Sequence, residues 1–192
     1  MFAEYIIGLK KVLTDIRADI SGQPATTESA VEEMLQFLRD VKKSEKQLFW
    51  VGNGGSAALA GHSALDYFRT AGFKSLAFND GPLLTCLGND FGYADVFSRP
   101  LSLYAGKDDL LVAISSSGKS ENILRAVAAA REKGCRVVTL SGFAPDNPLR
   151  RQGDVAFYAP SGGYGYVELV HGILCHSFLD LFMQRERGGT LG

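Results

Sequence analysis

Residues 48–56 read LFWVGNGGS, four large apolar residues followed by glycine, asparagine and serine. A short apolar run bounded by glycines is typical of a buried β-strand. The apolar spacing that resumes after Ser56 indicates that a helix begins there. A strand, a glycine-rich turn and a helix N-terminus in succession predict the first unit of an α/β fold. The free N–H groups of such a helix end favour an anion.

Residues 110–120 read LLVAISSSGKS and repeat this pattern. The apolar run ends in a loop with four serines in six residues, and Ser120 is a suitable N-cap for the helix that follows. A capped turn requires only one hydroxyl group, so the other serines are in excess of that need. We therefore predict that residues 115–120 bind the phosphate group of a small molecule, together with residues 52–56.

Strands alternate with helices over the rest of the chain. Apolar runs predict strands at 48–51, 75–78, 110–114, 136–140 and 155–158. Helical spacing predicts helices at about 56–70, 120–133 and 166–184. This alternation predicts an α/β fold with a parallel sheet, whose ligands bind beyond the carboxyl ends of the strands.

The first 45 residues have a different pattern. Helical spacing over residues 1 to about 20, and again after Pro24, predicts two N-terminal helices. We interpret residues 1–45 as helices that contact a partner subunit, residues 46–186 as the α/β core, and residues 1–192 as one domain.

Composition excludes several classes of function. Twenty Lys and Arg residues against 21 Asp and Glu give a net charge of −1, so no nucleic-acid partner is expected. No run of about 18 apolar residues is present, so no membrane partner is expected. Three widely spaced cysteines are typical of reduced thiols, and we expect a cytoplasmic protein.

Two known nucleotide-binding motifs do not fit the glycine loop. The dinucleotide fingerprint fails because Ala57 stands where its third glycine is needed. The P-loop pattern fails because no Gly-Lys-Ser or Gly-Lys-Thr closes the loop.

Histidines and carboxylates occur in pairs on two predicted helices. His62 and Asp66 are four residues apart and share one helix face. Glu168 and His176 are eight residues apart, about 80° on the helical wheel, whereas His171 lies about 140° from His176. If the two helices meet, these four side chains form either a zinc site or a general acid–base pair, and spacing alone leaves both open.

Five motifs together carry a family resemblance: GNGGS at 52–56, GNDFG at 88–92, FSR at 97–99, ISSSGKS at 114–120 and AAAREKG at 128–134. The chain resembles the sugar isomerase (SIS) domain family, and within it the phosphoheptose isomerases, which are enzymes of heptose biosynthesis. The resemblance implies a flavodoxin-like αβα sandwich preceded by two N-terminal helices. It also implies a homotetramer with active sites between subunits.

The resemblance further implies roles for single residues. Catalysis falls to Asp66 and His176. Substrate binding falls to Asn53, Gly54, Gly55, Ser56, Asp90, Ser115, Ser116, Ser117, Ser120 and Glu168. The resemblance assigns a Zn²⁺ ion, one per subunit, to His62, Asp66, Glu168 and His176.

The chain departs from the family pattern around the sugar. Asp66 replaces a glutamate and Glu168 replaces a glutamine. Position 70, where an arginine is expected, is threonine, and Arg69 comes one residue early. An aspartate expected just before the last helix is absent from residues 162–166.

Three hypotheses follow for the function. The leading one is an isomerase that converts sedoheptulose 7-phosphate to D-glycero-D-manno-heptose 7-phosphate through an enediol. The second is an isomerase of a different sugar phosphate, because the sugar-binding positions depart from the family. The third is a non-catalytic SIS regulator that resembles the protein associated with the bacterial replication initiator.

Overall fold

The computed structural model describes residues 1–187 of the 192-residue chain. Its elements, in chain order, are α1 (Phe2–Thr14), β1 (Arg17–Ile20), β2 (Gln23–Ala25), α2 (Thr27–Lys43), β3 (Gln47–Gly52), α3 (Gly55–Ala71), β4 (Lys74–Ala77), α4 (Gly81–Phe91), α5 (Ser98–Tyr104), β5 (Leu110–Ser115), α6 (Glu121–Glu132), β6 (Arg136–Ser141), β7 (Val155–Tyr158) and α7 (Tyr164–Arg187). Short 3₁₀ turns occur at Tyr93–Asp95 and Arg150–Gln152.

Five parallel strands form the centre of the sheet in the order β4-β3-β5-β6-β7. Numbered from β3, this order is 2-1-3-4-5, which is the flavodoxin order. The order in which the chain adds strands reverses at this point: β4 is added on one side of β3, and β5 on the other side. The predicted parallel α/β fold is confirmed, and its switch point lies between β3 and β5.

Helices cover both faces of the sheet. Alternate residues of β3 point to opposite sides: Leu48 and Trp50 join a core formed with α2, α3 and α7, while Phe49 and Val51 join a core formed with α5 and α6. All four of these side chains are fully buried. The result is the three-layer αβα sandwich that the family resemblance implies.

The prediction of helix up to residue 20 was wrong. Residues 17–25 form a hairpin, β1 and β2, that extends the sheet antiparallel to β7. The turn residues Ser21 and Gly22 both have positive φ angles, 51° and 74°, as a two-residue hairpin turn requires. Pro24 lies in the edge strand β2, where proline is tolerated because one side of the strand needs no partner. The Ser-Gly pair was therefore the missed signal.

Helix α7 is long and apolar enough, over Tyr164–Glu186, to cross a membrane by length and composition alone. Its apolar side chains are used otherwise in this fold: Val167, Val170, Leu174 and Phe178 are buried in the core against the sheet, α2 and α3. The apolar character of α7 is therefore explained by packing within the chain.

His171 lies in α7, is 1% exposed and pairs through Nε2 with the backbone oxygen of Ser141 at 3.1 Å. Burial lowers the pKa of His171 to about 4, because the apolar surroundings disfavour the charged imidazolium. As predicted from its position on the helical wheel, His171 faces away from His176 and has a structural role.

This pKa makes a prediction about stability. The unfolded chain binds a proton at His171 below about pH 6.5, whereas the folded chain does so only near pH 4. The free energy of unfolding should therefore fall by about 1.2 kcal/mol as pH decreases from about 6 to 5, through this residue alone. In His171→Gln this component should disappear. Urea unfolding of both proteins at pH 5–7.5 measures it, and equal pH slopes would contradict the assignment.

Candidate functional site

Strands β3 and β5 bring the two predicted phosphate loops together. Gly52 and Ile114 are paired in the parallel ladder, so the residues that follow them, Asn53 and Ser115, lie side by side at the switch point. This is where ligands bind in open α/β sheets. A cavity of about 260 Å³ opens there. It is lined by Asn53, Gly54, Gly55, Ser56, Ile114, Ser115, Ser116, Ser117, Ser120, Tyr164 and Glu168.

The loop after β5 turns sharply at Gly118, whose φ angle is +62°. The N–H of Gly118 donates to the backbone oxygen of Ser115 at 3.0 Å, which closes the turn. Ser120 is the N-cap of α6, but its hydroxyl makes no capping hydrogen bond and lies 3.4 Å from the hydroxyl of Ser115. The serine-rich sequence is therefore not explained by helix capping, and these two hydroxyls converge on the cavity.

Both helices that follow these loops begin at the cavity. Helix α3 begins at Gly55 after Gly54, and α6 begins at Glu121 after Ser120; neither N-cap residue provides a side-chain hydrogen bond. The first N–H groups of a helix have no partner within the helix. Two uncapped helix N-termini and the side chains of five serines around one cavity form an environment that favours a phosphate dianion.

The glycine loop is fixed by a pair of asparagines. Asn53 Nδ2 donates to Asn122 Oδ1 at 2.9 Å, and Asn122 Nδ2 donates back to Asn53 Oδ1 at 2.8 Å. The hydroxyl of Tyr93 also donates to Asn53 Oδ1, at 3.1 Å. Asn122 is only 3% exposed, and we had not predicted a role for it or for Tyr93. Both roles depend on contacts between separate segments, so no local pattern in the sequence indicates them.

Glu168 reaches the cavity from α7. A Cβ atom placed on Gly55 would lie 2.6 Å from a carboxylate oxygen of Glu168, so a larger residue at 55 would displace this carboxylate from its present position. The carboxylate therefore lies against the first residue of α3, where the positive end of the helix dipole stabilises a negative charge.

Helices α3 and α7 do meet. The buried hydroxyl of Tyr67 donates to the backbone oxygen of Cys175 at 3.0 Å. Asp66 and His176 are the chain neighbours of these two residues, and His176 Nδ1 lies 3.8 Å from Asp66 Oδ2. The same oxygen lies 3.1 Å from His62 Nε2. Asp66 is thus in contact with both imidazoles.

The atoms of this cluster, His62, Asp66 and His176, all lie within 4.8 Å of one another. Two imidazole nitrogens and a carboxylate oxygen are a common donor set for zinc. Ligand atoms at tetrahedral zinc are about 3.3 Å apart for bonds of about 2.0 Å, and the contacts of 3.1 and 3.8 Å with Asp66 are close to that spacing. The three residues therefore fit a metal ion. Glu168 is outside this group of three.

Two further positions considered for sugar binding, 69 and 90, do not line the cavity. Arg69 reaches back to Asp66, with Nη2 3.6 Å from Oδ1, and is largely exposed. Asp90 is exposed on α4, contacts Cys86 and Asn89 on the same helix, and does not line the cavity. Of the ten predicted substrate-binding residues, nine line the cavity and Asp90 is the exception.

Comparison with known proteins agrees with this geometry. The model of the family described as SIS domain matches residues 13–142. The chain belongs to the SIS domain family. It is 35% identical over 163 residues to the phosphoheptose isomerase of Sodalis glossinidius, covering 82% of this chain and 83% of that protein.

Two other phosphoheptose isomerases are also similar to this chain. The phosphoheptose isomerase of Escherichia coli K12 (strain DH10B) is 33% identical over 158 residues, 79% of this chain and 82% of that protein. The structure of phosphoheptose isomerase GmhA from Neisseria gonorrhoeae superposes with a TM-score of 0.80 at 26% identity, covering 94% of both chains.

The asparagine pair of this SIS domain can be tested by stability. Asn122→Ala should lower the free energy of unfolding by about 1–3 kcal/mol, because it removes two hydrogen bonds at a buried position. Asn89→Ala, the same change on the exposed face of α4, should alter it by less than about 0.5 kcal/mol. Urea unfolding measures both. Equal effects would show that the pair does not hold the glycine loop.

Proposed function

We propose that this SIS-domain chain is an aldose–ketose isomerase that converts sedoheptulose 7-phosphate to D-glycero-D-manno-heptose 7-phosphate through an enediol. The observation that carries the proposal is the arrangement of two helices. Helix α3 begins at the phosphate-type cavity and carries His62 and Asp66 further along, while α7 carries both Glu168 at the cavity and His176 beside Asp66. An anion site and a proton-transfer cluster therefore share the same two helices. The names of its relatives support the same reaction and substrate.

In this proposal the phosphate binds in the serine loop. The hydroxyls of Ser115, Ser117 and Ser120 and the free N–H groups at the start of α6 donate to its oxygens. The asparagine pair holds Asn53 at the cavity, where the second N–H of its amide group remains to donate to a sugar hydroxyl. Phosphate binding of this kind positions the rest of the sugar chain for reaction.

Asp66 is the proposed base. Only 18% of its side chain is exposed, and Oδ2 is in contact with His62 and His176. In the proposed reaction Asp66 takes the proton from the carbon next to the carbonyl, and His176 transfers a proton at the neighbouring oxygen or carbon. Carboxylate and imidazole groups carry out such transfers near neutral pH. Aspartate is shorter than the glutamate of the family, but His62 and His176 lie close enough for Asp66 to contact both rings.

As the alternative role for Asp66, we propose that His62, Asp66 and His176 hold a zinc ion and that Glu168 completes the ligand set when substrate is bound; a carboxylate that binds zinc tightly is not also the free base. A bound zinc ion would polarise the carbonyl and stabilise the enediolate charge. Glu168 lies on the same helix as His176, and its flexible carboxylate lies against Gly55, so a small rotation would reorient it.

A second candidate function is the isomerisation of a different sugar phosphate. Arg69 is engaged with Asp66, and Tyr164 lines the cavity near the position where the family has an aspartate. The ring of Tyr164 packs edge-on against Phe143, with centroids 4.8 Å apart, and narrows the cavity on that side. Asp90 belongs to this question too, because it is the one predicted sugar contact outside the cavity.

The compartment is part of the proposal. Cys135 and Cys175 are buried free thiols, and burial raises the pKa of each, to about 11 and about 12 respectively. They therefore remain protonated and unreactive. Cys86 is an exposed free thiol, which suits a reducing compartment, and we infer that the enzyme acts in the cytoplasm.

The activity assay uses sedoheptulose 7-phosphate, purified protein and NMR detection of the aldose product. Wild-type protein with zinc should turn over substrate, and a chelator should reduce the rate. Asp66→Asn should lower kcat by at least about 100-fold, because the variant keeps the shape of the side chain and loses the base.

Asp108→Asn is the matched control for this assay. Asp108 is exposed and precedes β5, so it lies at the amino ends of the strands, opposite the site. Its φ angle of +68° is one that asparagine also tolerates. It should keep full activity. No turnover of this substrate by wild-type protein, with turnover of another sugar phosphate, would support the second candidate. No turnover of any sugar phosphate in a panel would contradict the proposal that the chain is an isomerase.

We also propose that the chain assembles as a homotetramer with subunit contacts beside the site. Large apolar side chains are exposed on the outer face of α3 and α7, next to the His–Asp–His cluster: Leu65, Phe68, Leu169 and Ile173. Exposed apolar residues grouped around a polar site are typical of a protein–protein interface. The apolar residues Phe2 and Ile7 of α1, a helix that contacts α7, are exposed as well.

Analytical ultracentrifugation tests the assembly. Wild-type protein should sediment as a tetramer, and Phe68→Asp should dissociate it, because the change introduces a charge into the contact. Leu103→Asp is the control, because Leu103 is 85% exposed on α5 in the opposite helical layer. A wild-type monomer, or dissociation by Leu103→Asp alone, would contradict the proposed surface.

A further inference from the structure

The serine loop does not hold its shape alone. Residues 141–150, which we call the bracing segment, lie directly behind it. The N–H of Gly142 donates to the backbone oxygen of Ser116 at 3.0 Å, and the N–H of Leu149 donates to the backbone oxygen of Gly118 at 3.1 Å. Two carbonyl groups of the loop are thus bound to the segment.

These two bonds set the direction of the loop's N–H groups. In a trans peptide unit the C=O and N–H groups point in opposite directions. Anchoring the Ser116 oxygen on the bracing segment therefore directs the N–H of Ser117 away from the segment, and Ser117 lines the cavity. The bracing segment thus orients a donor that an anion in the cavity would use.

Asn147 organises the bracing segment. Its side chain is completely buried. Its Nδ2 donates to the hydroxyl of Ser141 at 3.1 Å and to the backbone oxygens of Ala144 and Gly142 at 2.8 and 3.3 Å. Its Oδ1 accepts from the N–H of Arg150 at 3.0 Å. One side chain therefore ties together residues from both ends of the segment.

The same side chain lies against the serine loop. A Cβ atom on Gly118 would lie 2.0 Å from Asn147 Oδ1, so the asparagine fills the space that any other residue at 118 would need. The glycine of the serine loop and the asparagine of the bracing segment therefore fit each other. Gly118 also needs its freedom of conformation for the positive φ angle.

The bracing segment is fixed in turn to the rest of the fold. The Arg150 guanidinium pairs with Asp19 of β1, and both side chains are mostly buried. His171 of α7 pairs with the backbone oxygen of Ser141. Because the segment is anchored at both ends, we expect a change of its conformation at Asn147 to shift the serine loop that is bonded to it.

We propose that Asn147 is a positioning residue for the substrate phosphate. It holds the bracing segment in the conformation that directs the N–H of Ser117 into the cavity, and it does so without contacting the ligand. The identity of the substrate rests on the proposed function, whereas the positioning of a phosphate group does not. The sequence carried no signal for this role, because Asn147 stands in a proline-containing loop between two strands.

The test compares Asn147→Asp with Asp146→Asn. The first variant keeps the size of the side chain but replaces its NH₂ donor with an oxygen facing the oxygens of Ser141 and Ala144. The second makes the reverse change at the exposed neighbouring position in the same segment. Isothermal titration calorimetry with inorganic phosphate should give a dissociation constant at least about tenfold higher for Asn147→Asp, and an unchanged one for Asp146→Asn.

Kinetics with sedoheptulose 7-phosphate give a second readout. In Asn147→Asp, KM should rise by a similar factor while kcat changes much less, because Asp66 and His176 are not part of the brace. Circular dichroism at the assay temperature checks folding. Should Asn147→Asp fail to fold, Ser141→Ala decides, because it removes only one acceptor of Asn147 and should still weaken phosphate binding.

The outcomes separate this inference from the proposed function. Phosphate binding that weakens in Asn147→Asp supports the inference even where wild-type protein does not isomerise sedoheptulose 7-phosphate, in which case only the proposed function fails. A folded Asn147→Asp protein that is less stable but binds phosphate as wild type does would overturn the positioning role. So would a wild-type protein that does not bind phosphate.

Discussion

The parallel pairing of β3 with β5 is the constraint on which the site depends. It places Gly52 beside Ile114, and therefore brings the glycine loop and the serine loop together at the carboxyl ends of these two strands. Residues far apart in sequence, such as Asn53 and Asn122, can then exchange two hydrogen bonds across that point. The cavity, its two helix N-termini and its serine hydroxyls all follow from this one register.

A second contact connects the cavity to the chemistry. The buried hydrogen bond from Tyr67 to Cys175 fixes α3 against α7, and burial raises the pKa of the Tyr67 hydroxyl well above its ordinary value, so it remains a donor. The neighbours of these residues in sequence, Asp66 and His176, are thereby held together. The anion site and the His–Asp–His cluster can serve one substrate because both are built on α3 and α7.

Much of this could be predicted from the sequence because strand ends and helix starts have local signals. The five parallel strands, both phosphate loops and the spacing of His62 and Asp66 were read from single segments. The hairpin at 17–25 was missed because its strands are only four and three residues long. Asn122 and Asn147 were missed for another reason. Their roles depend on contacts between segments, and an asparagine has no periodicity that reveals such a contact.

A crystal structure of Asp66→Asn with sedoheptulose 7-phosphate is the most direct test of the account. The account predicts that the phosphate lies between Ser115, Ser117 and Ser120, with its oxygens on the N–H groups at the start of α6. It also predicts that the carbonyl end of the sugar lies beside residue 66 and His176. A phosphate bound elsewhere, or a carbonyl end far from every His–Asp–His cluster in the assembly, would contradict it.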